Sequence, residues 1–589
     1  MKHRMITRKI YTDHPMRIRI LWGGIFLFGL IIIGRLFWLQ ILHHRDYLEL
    51  ASQQHDIYQE LLPDRGIIYT QDTRVQDKDN PKLFPVATNR DFYLIYGQTY
   101  AIDDPGATTE RLNSVLALPQ AVADRIQTQL AKYNDPYEPL AHRVTEEKIQ
   151  KVAELNLAGI KWVKEKSRYY PENNIGSHVL GFVGFVDDKL VGQYGLEGYY
   201  NSQISGQAGF VKSERDASGS LIGVGEHDYA SPENGSSLVL TIDDTVQTVL
   251  CQKLDEAVER YKAEGASVVV MDPKTGAILA MCGWPNFDPN DYGNVENIKY
   301  YNNPTVFAAY EPGSVFKPIT MSIALDQGKV TPESTYEDTG EVKIGQYSIK
   351  NSDLLAHGTQ TMTDVLKFSL NTGAIFAMRQ AGPETFRDYV EKFGFGVLSG
   401  IPLEGESPGT IASLYKKGEI YPVTASFGQG IMVTPLQVAT AFSALANGGK
   451  LMRPYIVDRV IDPSGIEIRT EPQEIRQVIS PRTSVLISGM LVQVVQEGHA
   501  KRAAIPGYYV AGKTGTAQVA NPSTGDYNSG KTIHTFGGFF PVSDPQLVVV
   551  ARFDSPQTSQ WAEGTAVPFF GEIGKFLASY YQIPPDAAQ

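Results

Sequence analysis

The chain has 589 residues, too many for one ordinary domain, because single hydrophobic cores stop growing at roughly 250 to 300 residues. Hydrophobic residues at 42%, charged at 20% and aromatic at 10% exclude a disordered, collagenous or multi-span membrane chain. A net charge of −12 excludes nucleic acid as a partner of the bulk, since that footprint needs clustered Lys and Arg. The charge is uneven. Residues 1–19 carry Lys2, Arg4, Arg8, Lys9, Arg17 and Arg19 against Asp13 alone, and read as a cytoplasmic basic tail. Residues 20–42 follow, with Arg35 as their one charge and a helical length of about 34 Å, enough to span a bilayer core. Trp22 and Trp38 fall near the ends of this span, and the basic flank places the N-terminus in the cytoplasm. A cleaved signal peptide would have a shorter apolar run and a small-x-small site, which residues 40–45 do not offer. Arg35 can snorkel toward the outer headgroups or mark contact with a partner membrane protein.

Residues 45–62 read as a polar helical stretch, and Pro63-Asp64-Arg65-Gly66-Ile67-Ile68-Tyr69 as a turn into the first strand of a new domain. As far as residue 235, β-prone runs such as 91–96 mix with polar helices such as 146–155. The turn-rich end, Ser231-Pro232-Glu233-Asn234-Gly235, sets a boundary that divides residues 43–235 from residues 236–589. The second unit opens with a strand at 238–242 and cap candidates Asp243 and Asp244. Val246, Val249, Leu250, Leu254, Ala257, Val258 and Tyr261 then recur at helical spacing, with Gly265 as the stop. Cys251 and Cys282 lack the spacing of a zinc or redox motif and read as packing residues, with a pairing between them left open. Residues 266–271 and 277–281 form a β-hairpin about Asp272-Pro273-Lys274-Thr275-Gly276. Strands at 508–519, 532–540 and 546–553 follow helices at 436–446 and 483–496. A last helix carries Phe569, Ile573, Phe576, Leu577 and Tyr580. Strands from both ends of the unit predict an α+β fold around one antiparallel sheet.

Hydroxyl nucleophiles need a neighbouring base, so a Ser with Lys three residues on is a candidate pair. Ser314-Val315-Phe316-Lys317 leads into Ile319, Met321, Ile323 and Ala324, apolar neighbours that desolvate Lys317 and lower its pKa toward that of a useful base. The same spacing in Ser413-Leu414-Tyr415-Lys416 lies in a polar context that leaves its lysine solvated. Ser369-Leu370-Asn371 is the only Ser-x-Asn in the chain and precedes an apolar helical run. Its hydroxyl can relay a proton and its carboxamide can hold a peptide, or Ser369 can serve simply as a helix N-cap. Lys513-Thr514-Gly515-Thr516 lies in a predicted strand, where Lys and Thr suit a substrate carboxylate and Gly515 lets an extended peptide approach the backbone. Lys274-Thr275-Gly276 has the same letters at a hairpin tip. Gly507 to Thr514 also satisfies the phosphate-cradling G-x-x-x-x-G-K-[ST] pattern, but the strand and Asn521-Pro522 turn after it are not the helix that such a loop needs. The eleven histidines are scattered without a ligand motif, so no metal or cofactor is expected.

Ser-x-x-Lys, Ser-x-Asn and Lys-Thr-Gly in this order resemble the signature of penicillin-binding proteins and serine β-lactamases. The chain looks like a class B penicillin-binding protein, the monofunctional D,D-transpeptidase type of division or elongation. The likeness extends to Arg65-Gly66-Ile67-Ile68-Tyr69, Tyr170-Pro171, His178 to Gly184, Gly195-Leu196-Glu197-Gly198, Thr241-Ile242-Asp243, Phe427-Gly428-Gln429-Gly430 and Phe536 to Pro541. One departure is Thr70-Gln71-Asp72-Thr73, where relatives usually have Asp-Arg-Asn-Gly. The resemblance implies a membrane anchor, an elongated mixed α/β pedestal and a transpeptidase domain outside the cell membrane. It also implies catalysis by Ser314, Lys317 and Ser369, with Asn371, Lys513, Thr514, Gly515 and Thr516 binding substrate. The implied substrates are peptidoglycan stem peptides ending in D-Ala-D-Ala, with β-lactams as covalent inhibitors and a polytopic membrane glycosyltransferase as partner. A β-lactamase or β-lactam sensor, or a scaffold that activates that glycosyltransferase, is the alternative.

Overall fold

The computed structural model describes residues 15–43, 56–74, 81–132, 134–187, 189–214, 228–519 and 530–587. These fall into two compact units, residues 1–63 with 207–233, and residues 64–206 with 234–589.

In the first unit, Pro15–Phe37 is an α-helix continued by the π-helical turn Trp38–Leu42. Ile18–Leu42 is long and apolar enough to cross a membrane. The Arg35 guanidinium sits over the Trp38 ring, 4.6 Å from its centroid, so its charge rests on the aromatic at the end of the span. The basic tail up to residue 14 lies outside the described residues. So does most of the stretch at 45–62 that reads as helical, but its end, Asp56–Leu61, is a strand. That strand pairs antiparallel with Gly209–Glu214, which pairs in turn with Asp228–Ala230. Partners so distant in the chain leave no trace in a local helical pattern.

The second unit holds two principal sheets. A seven-stranded sheet runs Glu467–Arg469, Val457–Ile461, Ser237–Asp243, Ile68–Gln71, Leu83–Gly97 and Glu138–Val144, with Ile160–Tyr169 also paired to Leu83–Gly97. Ser237–Asp243 lies parallel to Ile68–Gln71 on one side and antiparallel to Val457–Ile461 on the other. The sheet is therefore continuous across residue 235. The second sheet is antiparallel, in the order Ile278–Trp284, Gly265–Met271, Leu547–Asp554, Thr532–Phe540 and Ala511–Gln518.

Helices cover both faces of the five-stranded sheet. A side chain at Gly537 would meet the Phe442 ring and one at Gly538 the Phe570 ring, and successive strand residues face opposite sides. Pro435–Ala446 and Ala566–Tyr580 thus lie on opposite faces, and Gly265–Met271 is buried throughout. The helix Asp244–Tyr261 starts as predicted, with Asp243 accepting from Val246 N. It ends at left-handed Lys262, three residues before the predicted stop, and Gly265 instead opens the next strand. The packing reading of the two cysteines also needs correction: Cys251 and Cys282 form a disulfide, with their Cα atoms 5.4 Å apart. Helix and strand are already registered there by Gln247, whose Nε2 donates to Met281 O and whose Oε1 accepts from Met281 N.

Candidate active site

Ser314 sits on a 3₁₀ turn, Gly313–Phe316, ahead of the helix Lys317–Asp326. Pro318 has no N–H to give Ser314 O an i→i+4 bond, and Lys317 N donates to that oxygen instead, tightening the turn. At three residues per turn, Ser314 and Lys317 fall on one side. Gly313 is left-handed, and its N–H donates to Gly428 O at 3.0 Å. Gly428 is itself left-handed, with space for no side chain, since a Cβ would fall 2.2 Å from Gly313 O. Gly430 N donates to Glu311 Oε1, and Tyr310 bridges to Val433, so the 427–433 segment braces the turn from below.

Three of the expected residues meet under this turn. Ser369 Oγ lies 3.2 Å from Lys317 Nζ and 3.0 Å from Lys513 Nζ. Lys317 Nζ also donates to Ser369 O, and Lys513 Nζ to Thr514 O and Oγ1. Ser369 has φ +58°, a left-handed conformation that costs a non-glycine residue about 1–2 kcal/mol and collects at functional sites. The N-cap of the helix Asn371–Ala381 is Leu370, so the capping alternative for Ser369 does not hold.

Both lysines are buried. Burial and then the neighbouring Lys513 push the Lys317 amine well below its ordinary value, while burial brings Lys513 down to about 8. Two ammonium groups about one hydroxyl repel each other, which favours the neutral amine at Lys317, while Lys513, at about 8, stays charged near neutrality.

A cavity of about 250 Å³ is lined by Ser314, Asn371 and Thr516, neighbours in sequence of the clustered Lys317, Ser369 and Lys513, with Ser352, Gln429 and Trp561 among its other walls. Among the described residues, the Ser314 hydroxyl has no hydrogen-bond partner. Asn371 Nδ2 donates to Lys350 O, and Thr516 Oγ1 accepts from Ala562 N. Gly515 packs on the turn that carries Ser314. A Cβ there would lie 2.7 Å from Pro312 O and 3.2 Å from Val315 Cβ, so the missing side chain admits that turn. The decoys lie elsewhere: Lys416 is exposed, and Lys274 pairs with Asp544 at the surface.

Sequence reasoning missed Ser352 and Trp561, which belong to no motif. It also missed His534, which burial pushes down to about 4 and which lies 3.0 Å from Thr532 Oγ1 and 2.8 Å from Thr565 Oγ1. A larger cavity of about 520 Å³, lined by Asp72, Lys274 and Arg469, includes none of Ser314, Lys317, Ser369 and Lys513.

Residues 266–575 match the penicillin binding protein transpeptidase domain, and residues 60–240 the penicillin-binding protein dimerisation domain. Stage V sporulation protein D of Bacillus subtilis is 35% identical over 94% of this chain and 84% of its own. Peptidoglycan D,D-transpeptidase FtsI of Escherichia coli is 29% identical over 97% of this chain and 93% of its own. Penicillin binding protein 3 from Mycobacterium tuberculosis, solved with aztreonam, superposes with a TM-score of 0.68 at 25% identity, covering 90% of this chain and 98% of that one. A transpeptidase match spanning more than half the sequence, a dimerisation match ahead of it and relatives alike over nearly their full length place the chain among the class B penicillin-binding proteins.

Proposed function

We propose that the chain is a peptidoglycan D,D-transpeptidase that cross-links stem peptides through an ester on Ser314. The observation that carries this reading is the approach of Lys317 Nζ and Lys513 Nζ to Ser369 Oγ, at 3.2 and 3.0 Å, on segments whose nearby residues, Asn371 and Thr516, line a cavity together with Ser314. The name of the Escherichia coli relative and the aztreonam and ampicillin complexes of the Mycobacterium tuberculosis protein support it.

Lys317, in the neutral form that burial and Lys513 favour, takes the Ser314 proton as Oγ attacks the carbonyl of the penultimate D-Ala. Backbone N–H groups of Ser314 and Thr516 receive the developing oxyanion, an effect worth about 10²–10³ in rate per donor. The bond to the terminal D-Ala nitrogen then breaks, and Ser369 relays the proton from Lys317 to that leaving amine. Asn371 holds the peptide amide, Lys513 and Thr514 bind the terminal carboxylate, and Gly515 keeps the strand close to the nucleophile. An amine of a second stem peptide displaces Ser314 and completes the cross-link. β-Lactams resemble the D-Ala-D-Ala end, acylate the same hydroxyl and stall there.

In this reading residues 1–19 are cytoplasmic, 20–42 span the cell membrane, 43–235 form the pedestal and 236–589 work outside. A polytopic membrane glycosyltransferase is the partner that the span and pedestal would serve. Labelled penicillin should attach covalently to the native protein and not to Ser314→Ala. Labelling of that variant at the native rate overturns the assignment, and rapid release of the penicilloyl group would identify a β-lactamase instead.

A further inference from the structure

Asp338 ends the strand Thr335–Asp338, and its side chain has no exposed surface. Oδ1 accepts from Gly340 N at 3.0 Å, Asn351 Nδ2 at 3.1 Å and Thr372 Oγ1 at 2.7 Å. Oδ2 accepts from Asn351 Nδ2 at 2.9 Å and His357 N at 3.1 Å, and lies 2.7 Å from His357 Nδ1. Burial pushes this carboxyl up, and the surrounding donors, Thr372 first, pull it net below its ordinary value. A carboxylate so dry persists only because donors surround it.

Two of those donors, Asn351 and Thr372, belong to segments that line the cavity. Asn351 directly precedes cavity-lining Ser352, and Thr372 directly follows cavity-lining Asn371. The segments are also tied to each other. Thr372 N donates to Asn351 Oδ1 at 3.2 Å, with Thr372 Oγ1 also 3.2 Å from that oxygen, and Asn371 Nδ2 donates to Lys350 O at 2.8 Å. No step of the acyl transfer uses Asp338, yet it lies under both walls.

We propose that Asp338 is a positioning residue of the transpeptidase site, acting through Thr372 and Asn351 to set Asn371 and the 350–352 segment against Ser314. The proposal rests on the reading of Asn371 as the group that holds the substrate amide. A displaced Asn371 then weakens reaction with amide-bearing substrates and spares those without the amide. Asp338→Asn keeps the shape but turns an N–H donor toward the donors of Asn351 and His357. Thr372→Val removes one of the six contacts at nearly constant volume, and serves should Asp338→Asn fail to fold.

The test uses the full-length protein in detergent and two lactams: benzylpenicillin, whose side chain carries the amide, and 6-aminopenicillanic acid, which lacks it. Asp338→Asn, Thr372→Val and Asn371→Ala should each slow acylation by benzylpenicillin by about tenfold or more, the scale of a lost buried hydrogen bond. Acylation by 6-aminopenicillanic acid should fall less than about threefold. Equal losses on both lactams in the first two variants, or none, overturn the role of Asp338 while a selective Asn371→Ala leaves the reading of Asn371 standing. An unselective Asn371→Ala overturns that reading and the clamp built on it.

Discussion

Lys513 is charged below a pH of about 8 and neutral above it, because burial lowers its ammonium to that value. The cation that would bind the substrate carboxylate is thus lost as pH rises. The second-order rate constant for penicillin acylation should fall through about pH 8, while the limiting rate in the complex falls less, since a bound carboxylate holds the proton in place. Lys513→Arg stays charged throughout, so its acylation, though slower for want of fit, should lack this alkaline limb. A limb that persists in Lys513→Arg belongs to another group. At this scale the sequence is informative where chemistry demands a residue type at a fixed spacing, as with Ser314 and Lys317. It is silent on Asp338, whose partners at 351, 357 and 372 are joined to it only by the fold.

Among the elements, the strand Ala511–Gln518 carries Lys513 and the turn Gly313–Phe316 carries Ser314, the proposed substrate-binding and nucleophilic groups. Gly515 packs directly against the turn and the Pro312 that precedes it. Gly515→Ala would set a methyl 2.7 Å from the backbone oxygen of Pro312, which cannot swing aside as a flexible side chain can. Overpacking of this kind costs about 1–3 kcal/mol, and here the strain is relieved by parting the two elements that carry the chemistry. Gly515→Ala should therefore lower the unfolding temperature and slow acylation by about tenfold or more, whereas Gly293→Ala, with open space around it, should change neither. Acylation at the native rate in Gly515→Ala would show that the approach is slack. Helices were legible wherever apolar periodicity is long, as over 244–261 and 481–496. The 3₁₀ turn under Ser314 was not, because Pro318 acts through a bond it cannot make. Nor was the strand Asp56–Leu61, because its partners lie beyond residue 208.

On the scale of the whole molecule, the second unit is sewn together across residue 235 by Ser237–Asp243, which pairs with strands from both sides of that position. Composition shifts marked a boundary there; pairing across it is a long-range event that no local pattern encodes. Glu197 is the second stitch. Buried completely, it lies 2.6 Å from both Arg65 and Arg168, while Arg168 Nη1 donates to Gly66 O. Burial pushes the Glu197 carboxyl up, and Arg168 and Arg65 hold it net below its ordinary value. Its neighbour Gly198 packs on Glu404, and Gly195 bridges to the same residue, so the stitch reaches the catalytic part of the chain. Glu197→Gln leaves two buried guanidinium groups without their counter-charge, a change that costs about 3–5 kcal/mol where an exposed pair would cost under about 1. Calorimetry of the protein in detergent should show a transition of this unit lowered by several degrees yet still single, because a sheet shared by both parts leaves neither free to melt alone. Penicillin acylation of the folded variant should be unchanged, Glu197 being absent from the cavity. A transition that splits in two would mean that the shared sheet does not couple the parts, and a shift of less than a degree would mean that the ion network does not hold them.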